Sequence, residues 1–129
     1  MTPIVLAVHF PAKQLSKLRM AAMRLGAKVR VVEKWEYLSP VGSFTGQRGA
    51  FESMYDGADF AGEMLVMANF SQQQLDTFLS QLRAALPPVA LKAVLTDTNA
   101  GWNSLELHDE LVREHAAMQN GAPAHTQDA

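Results

Sequence analysis

The chain has 129 residues, of which 48% are hydrophobic and 19% are charged. This length and composition fit one globular domain with a buried core and exclude an intrinsically disordered chain. The absence of cysteine excludes disulfides, thiolate metal sites and cysteine nucleophiles, and a net charge of −2 argues against a generally basic nucleic-acid-binding protein.

The N-terminal ten residues contain an apolar run, Ile4–Val8, that lacks the basic flank and the longer apolar core of a signal peptide. No stretch of the sequence has the about 20 apolar residues of a membrane-spanning helix. We therefore expect a cytoplasmic protein without membrane association. Ile4–Val8 has the length and composition of a buried strand.

A helix and a second strand are predicted after this first strand. One apolar helical face is formed by residues at spacings of three and four: Leu15, Leu18, Ala22 and Leu25. Pro11 suits the first turn of the helix, and Gly26 suits the position just after its end. Residues 28–31 then alternate between charged and apolar, which is typical of a half-buried strand.

The same order of elements recurs in residues 64–95. Met64–Ala68 is a second continuous apolar run, and Ser71 begins a helix as a capping box with Gln74. The apolar residues 90–95 follow that helix and predict a fourth strand. Two strand–helix–strand units therefore follow one another in the chain.

A shift of sixty residues aligns the two units: Phe10 with Phe70, Leu15 with Leu75, Leu18 with Phe78 and Ala22 with Leu82. The units cover residues 4–32 and 64–95. After them, Asn103 and Glu106 predict the start of a C-terminal helix over residues 104–118. The polar residues 119–129 predict a flexible tail.

Two tandem βαβ units indicate an α/β fold within a single domain over residues 1–118, and we expect a ferredoxin-like sandwich. The continuous apolar runs Ile4–Val8 and Met64–Ala68 fit central strands that are buried on both faces. A doubly wound, fully parallel sheet is the alternative. Two helices on one face leave the other face for the third helix, the connection between the units, or a partner subunit.

The connection between the units, residues 33–63, has an uneven composition. It holds six of the ten aromatic residues and five of the eight glycines. Six aromatic side chains are costly to leave in water, and a structureless loop of this length is uncommon in a compact domain. We therefore expect a folded insertion that covers part of the core or contacts a partner.

The pattern Leu-Thr-x-x-Asn-x-x-Trp at Leu95–Trp102, followed by a Glu-rich helix, resembles a small bacterial family that is catalogued as a domain of unknown function. The resemblance covers about residues 64–118. It implies an uncharacterised domain and no particular activity.

The loop between the fourth strand and the last helix is a candidate ligand site. Ligands bind at the carboxyl ends of strands in open α/β sheets, and helix N-termini bind anions. Thr96 and Asn99 offer polar groups there, and Trp102 offers a flat apolar face. The alternative is ordinary turn and cap chemistry, with Trp102 packing the last helix onto the core.

The glycine-rich segment at residues 42–49 is the second candidate, because Arg48 can bind a phosphate or carboxylate. It lacks the P-loop and dinucleotide-binding patterns, so a flexible or hairpin connection is the simpler interpretation. His108 and His115 are seven residues apart, which is not the spacing of a chelating pair. We expect no metal and no cofactor.

Residues 11–34 carry seven Lys or Arg residues and one acid, whereas the rest of the chain carries four Lys or Arg residues and twelve acids. This local charge of +6 against −8 allows RNA binding through residues 11–34 as a weak alternative. The predicted central strand Met64–Ala68 lacks the aromatic residues on which RNA bases stack, so nucleic acid is not the expected partner.

No nucleophile motif or catalytic triad pattern is present in the sequence. We therefore expect a non-enzymatic interaction or ligand-binding domain that acts as a homo-oligomer, most simply a homodimer. The alternative is a small enzyme or metabolite-binding protein with a site between residues 42–49 and the loop at residues 96–103.

Overall fold

The computed structural model describes residues 2–45 and 54–119 of the chain. Its strands are β1 (Ile4–Val8), β2 (Lys28–Val31), β3 (Met64–Ala68) and β4 (Leu91–Val94). Its α-helices are α1 (Ala12–Met23), α2 (Gln72–Ala85) and α3 (Ser104–Gln119). Short 3₁₀ turns lie at Lys34–Glu36, Val41–Thr45 and Asn99–Gly101. Every strand and helix that the sequence predicts is present.

These four strands form a mixed sheet in the order β2-β1-β3-β4. α1 connects the parallel neighbours β1 and β2, α2 connects the parallel neighbours β3 and β4, and the units meet through the antiparallel pair β1–β3. The α/β class and the central positions of β1 and β3 are confirmed. The ferredoxin-like arrangement is not, because a split βαβ unit has another strand between the two that its helix connects. The antiparallel pair also excludes the fully parallel alternative.

The register of β1 and β3 shows that the two units are related by a local twofold axis. Leu6 lies opposite Val66, and the pairs Ile4–Ala68 and Val8–Met64 lie on either side. A shift of sixty residues converts one of these outer pairs into the other. The duplication that the sequence predicts is therefore present in the pairing of the strands themselves.

Each central strand is followed directly by a residue in the left-handed conformation. His9 has φ 67° and Asn69 has φ 66°. Asparagine and histidine are enriched among the non-glycine residues that adopt this region. At both positions the left-handed residue turns the chain from the strand towards the helix that follows, so the same turn is built twice from different side chains.

One face of the sheet packs against α1 and α2. Val5 and Ala7 of β1 and Leu65 and Met67 of β3 point to this side. The helices contribute the predicted apolar stripes, which include Leu18, Ala22, Leu75, Phe78 and Leu82. This hydrophobic core is the larger of the two that the described residues form.

The opposite face is covered by the chain itself. Leu6 and Val8 of β1 pack with Leu107 and Leu111 of α3. Val32 belongs to the same core, and the connection adds further side chains to it: Tyr37, Val41, Phe44, Tyr55 and Phe60. Of the three possible covers that the sequence leaves open for this face, the third helix and the insertion therefore both contribute. The homodimer stays a prediction, but covering this face no longer requires one.

On both edge strands, a side chain donates a hydrogen bond to a backbone carbonyl that points away from the sheet. Alternate residues of a strand point their backbone groups to opposite sides, and the Val32 N–H donates towards β1. The neighbouring carbonyl of Val31 therefore points outward, and it accepts a hydrogen bond from the Arg30 guanidinium at 2.9 Å. On β4, the carbonyl of Val94 accepts from the Asn99 amide at 3.1 Å.

The predicted helix caps are formed. The Ser71 hydroxyl accepts from the Gln74 N–H, and the Gln74 side chain accepts from the Ser71 N–H. Asn103 and Glu106 exchange the same pair of bonds at the start of α3. From residue 120 onward the predicted tail lies outside the described residues. Within the described residues, no helix has the length and apolar character needed to cross a membrane.

Phe78→Ala is expected to lower the free energy of unfolding by about 3–5 kcal/mol, because Phe78 is fully buried and its loss leaves a cavity. Urea unfolding followed by circular dichroism measures this change. Ser80→Ala, at an exposed position of the same helix, is the control and should change stability by less than about 0.5 kcal/mol. Equal effects of the two substitutions would contradict the position of Phe78 in the core.

Candidate functional site

The loop after β4 uses its polar side chains to build a turn. The Asn99 side-chain oxygen accepts from the Thr96 N–H at 2.8 Å, and the Thr96 hydroxyl accepts from the Asn99 N–H at 3.1 Å. The remaining amide group of Asn99 donates to Val94, and Asn99 is 0% exposed. Both polar atoms of this side chain are thus engaged within the loop.

The same loop anchors the connection to the start of α3. The Trp102 carbonyl accepts from the Val41 N–H at 2.8 Å, and Asn103 forms an isolated bridge with Pro40. The half-buried Trp102 side chain packs against the core under α3. The described part of the glycine-rich segment therefore lies beside the loop, as the enzyme alternative requires. Arg48 lies outside the described residues, so its proximity to Asn99 stays a prediction.

A second polar cluster lies at the carboxyl end of β1. We define the His9 cluster as His9, Tyr37, Asp59, Phe60 and Gly62. His9 Nε2 lies 3.0 Å from Asp59 Oδ2, and His9 Nδ1 lies 2.8 Å from the Gly62 carbonyl oxygen. The Tyr37 hydroxyl donates to Asp59 Oδ1 at 2.8 Å. These bonds fasten the end of the connection to the end of the central strand.

Aromatic stacking extends the His9 cluster to α3. The Phe60 ring stacks on His108 with centroids 3.9 Å apart and on Tyr37 with centroids 5.0 Å apart. The spacing argument from the sequence considered His108 only with His115 and gave no reason to connect His108 with His9. Their shared neighbour, Phe60, lies in the connection, whose path the sequence does not reveal.

The electrostatics of the His9 cluster favour an ionised Asp59 and a neutral Tyr37. Burial works against ionisation of Asp59, but hydrogen bonds from Tyr37 and His9 outweigh it and hold the pKa of this carboxyl below its usual value. Burial, together with the neighbouring Asp59 carboxylate, raises the pKa of Tyr37. Tyr37 is 1% exposed and stays a hydroxyl donor, so it is not available as a base or nucleophile. The cluster is therefore suited to holding the connection in place.

Arg30 holds the beginning of the connection in a similar way. Its guanidinium makes two hydrogen bonds to the Glu36 carboxylate, at 2.5 and 2.7 Å, and lies 4.7 Å from the centre of the Phe44 ring. The hydrogen bond from Arg30 lowers the pKa of Glu36, against the effect of burial. Arg30 belongs to the basic residues 11–34, and this pairing removes its charge from those available to an RNA ligand.

A groove of about 400 Å³ lies between α2 and β4. We call it the α2–β4 groove. Its apolar lining consists of Leu79, Leu82, Leu86, Pro87, Pro88 and Val89. Arg83 and Lys92 are its two charged lining residues, and both are cations. An apolar concave surface with a few convergent polar groups is the usual form of a small-molecule site.

The sequence of the second unit explains why the groove forms. Lys28 pairs with Ile4, 24 positions apart, whereas Leu91 pairs with Met64, 27 positions apart. The second unit thus has three more residues between its paired strands than the first. Pro87 and Pro88 lie in this longer stretch and line the groove.

Lys92, which lines the groove, is held by a hydrogen bond. Its ammonium donates to the Val89 carbonyl at 2.6 Å. An ammonium group has three donors, so two remain for other acceptors. Arg83 is exposed on the same side of α2 and offers a guanidinium, which binds carboxylate or phosphate in a bidentate manner.

Residues 63–118 match the family model of a domain of unknown function (DUF3783). The resemblance that the Leu95–Trp102 pattern indicates is therefore confirmed. The matched segment includes β3, α2, β4 and α3, and with them the α2–β4 groove and the loop of Thr96 and Asn99. No curated protein and no solved structure matches the chain. Within the described residues, no group of three or more His, Asp or Glu side chains is placed to hold a metal ion.

Asn99→Ala is expected to lower the free energy of unfolding by about 1–3 kcal/mol, because it leaves part-buried backbone groups of Thr96 and Val94 without their partners. Chemical denaturation measures the change. Asp97→Ala, at an exposed position of the same loop, is the control. A stability of the Asn99 variant equal to that of the control would show that the amide has no structural role.

Asp59→Asn is expected to destabilise the protein at neutral pH and to lose this effect in acid. The folded state lowers the pKa of Asp59, so the ionised carboxylate contributes stability above its unfolded pKa of about 3.9, and this contribution disappears as the pH falls through the folded value. Urea unfolding of both proteins between neutral and acidic pH tests this. A difference that stays constant across this range would contradict the ionised pairing.

Proposed function

We propose that the chain is a non-enzymatic ligand-binding domain that takes a small amphipathic anion into the α2–β4 groove. The observation that carries the proposal is the combination of an apolar lining with charged lining residues that are both cations. A ligand of matching chemistry has an apolar body and one carboxylate or phosphate group. A cytoplasmic location, as expected from the sequence, is part of the proposal.

The charge of the groove selects the sign of the ligand. Arg83 and Lys92 are its charged lining residues, so an anion meets two opposite charges while a cation meets two like charges. The apolar residues supply affinity through burial, at about 25 cal/mol for each Å² removed from water. The cations then fix the orientation of the ligand, with its charged end next to Arg83 and Lys92.

The groove is favoured over the predicted site at residues 96–103 for a physical reason. Both polar atoms of the Asn99 side chain already have partners inside the loop, and a ligand would have to displace them. Breaking such buried hydrogen bonds costs about 1–3 kcal/mol for each group left unsatisfied. Lys92 keeps donors for a ligand without losing its bond to Val89.

Titration with decanoate, followed by ¹H–¹⁵N NMR, tests the proposal. Decanoate is expected to shift the amide signals of residues 79–92 in a saturable way. Lys92→Met keeps the apolar stem but removes the charge, so it should weaken binding by about tenfold. Decanol, which has the same chain without the charge, should bind correspondingly more weakly than decanoate.

Lys28→Met is the matched control, because it removes the same charge from the opposite edge strand. It should leave the affinity for decanoate unchanged. Equal weakening by the two substitutions would show that only the overall charge matters. Shifts spread over the whole chain, or absent from residues 79–92, would overturn the assignment of the groove as the site.

A further inference from the structure

The outer surface of α1 combines exposed methionines with positive charge. Met20 is 52% exposed and Met23 is 70% exposed. Lys13 and Lys17 are exposed on the same side of the helix, and α1 carries three cations and no acid. A helix surface of this kind is suited to an apolar partner surface that carries negative charge.

The duplication shows that the fold does not require this surface. α2 has the same place in the second unit, and its counterparts of Lys13, Lys17 and Met20 are Gln73, Thr77 and Ser80. α2 carries one acid and one cation, so it has no net charge. The two helices therefore differ at these solvent-facing positions, where α1 carries basic residues with an apolar one and α2 carries uncharged polar residues.

The outer surface of α3 has the complementary character. On the solvent side of α3 the exposed carboxylates are Glu106 and Asp109, whereas Glu114 is buried and Glu110 pairs with Arg113. Asp109 is exposed, and Val112 is an exposed apolar residue, 44% accessible, on the same side of the helix. The surface of α3 thus combines negative charge with an exposed apolar residue, and the surface of α1 on the other side of the molecule combines positive charge with exposed methionines.

We propose that α1 of one copy binds α3 of a second copy of this chain. α1 and α3 lie on opposite faces of the sheet, because their buried residues belong to different hydrophobic cores. Two copies cannot satisfy both contacts at once when the two surfaces face in opposite directions. The association is therefore head to tail, and it continues to a third copy or closes as a ring instead of stopping at a homodimer.

Charge governs the strength of this contact. Exposed charges attract over about 10 Å at 0.1 M salt and over about 3 Å at 1 M salt. The association is therefore strong at low ionic strength and falls as salt is added. α1 against α1, or α3 against α3, would bring like charges together, so the charge pattern disfavours a symmetric dimer through either helix.

Two complementary variants test the proposal by light scattering at low salt. Lys13→Glu with Lys17→Glu blocks the α1 surface, and Asp109→Lys with Ala116→Lys blocks the α3 surface. Each variant alone is expected to be a monomer, whereas the wild type grows beyond a dimer as its concentration rises. A mixture of the two variants should associate again with the two variants alternating, because both surfaces of one variant are then opposite in charge to the surfaces of the other.

A chain that carries all four substitutions is expected to associate again, since its acidic α1 meets a basic α3. Gln73→Glu with Thr77→Glu, at the counterpart positions on α2, is the matched control and should leave association unchanged. Circular dichroism confirms that each variant is folded.

A wild type that stays monomeric, a mixture that stays monomeric, or a wild type that stops at a dimer overturns the proposal. Retardation of single-stranded RNA without self-association would assign α1 to nucleic acid instead.

Discussion

The antiparallel pair of β1 and β3 is the interaction on which the rest of the structure depends. Both strands are buried on both faces, with Val5, Leu6 and Ala7 no more than 1% exposed. Alternate residues of each strand therefore supply two separate cores, one under α1 and α2 and one under α3. A slip of one residue in this pair would turn each side chain towards the wrong core, so both layers of helices fix the same register.

The connection between the units is held at its two described ends by different chemistry. Arg30 and Glu36 form a paired charge at the beginning, and His9, Tyr37 and Asp59 form a hydrogen-bonded cluster at the end. Between these points, the loop at Trp102 receives the chain through backbone hydrogen bonds. These polar residues therefore hold the aromatic connection against the apolar face of the sheet.

Local patterns in the sequence predict most of the elements but not their arrangement. The helix boundaries follow from caps such as Ser71 with Gln74, and the duplication follows from the repeated apolar spacing, because both depend on neighbours in the chain. The antiparallel meeting of the two units does not follow, since a tandem repeat is compatible with several strand orders. The strand order depends on the path of residues 33–63, which local patterns do not determine.

For the candidate sites too, local sequence patterns predict some features, whereas others depend on how the chain folds. Thr96, Asn99 and Trp102 are predicted from the sequence as ligand residues, and this stays a prediction, whereas their contacts show that they shape the turn and receive the connection. The α2–β4 groove was missed, because Pro87 and Pro88 indicate where a helix ends but not that the return to the sheet leaves a cavity. His9 and Asp59 are fifty residues apart in the chain, and only the folded connection brings them together.

The hydrogen bonds from Arg30 to Val31 and from Asn99 to Val94 have a consequence for how copies of this chain can meet. An exposed edge strand offers its backbone as a template for another strand, which is a common route to uncontrolled aggregation. Here a side chain already occupies an outward carbonyl on each edge. Extension of the sheet from one molecule into the next therefore has to break a bond at either edge. The proposed association of copies would instead use the helical faces, where charge would make it selective and reversible.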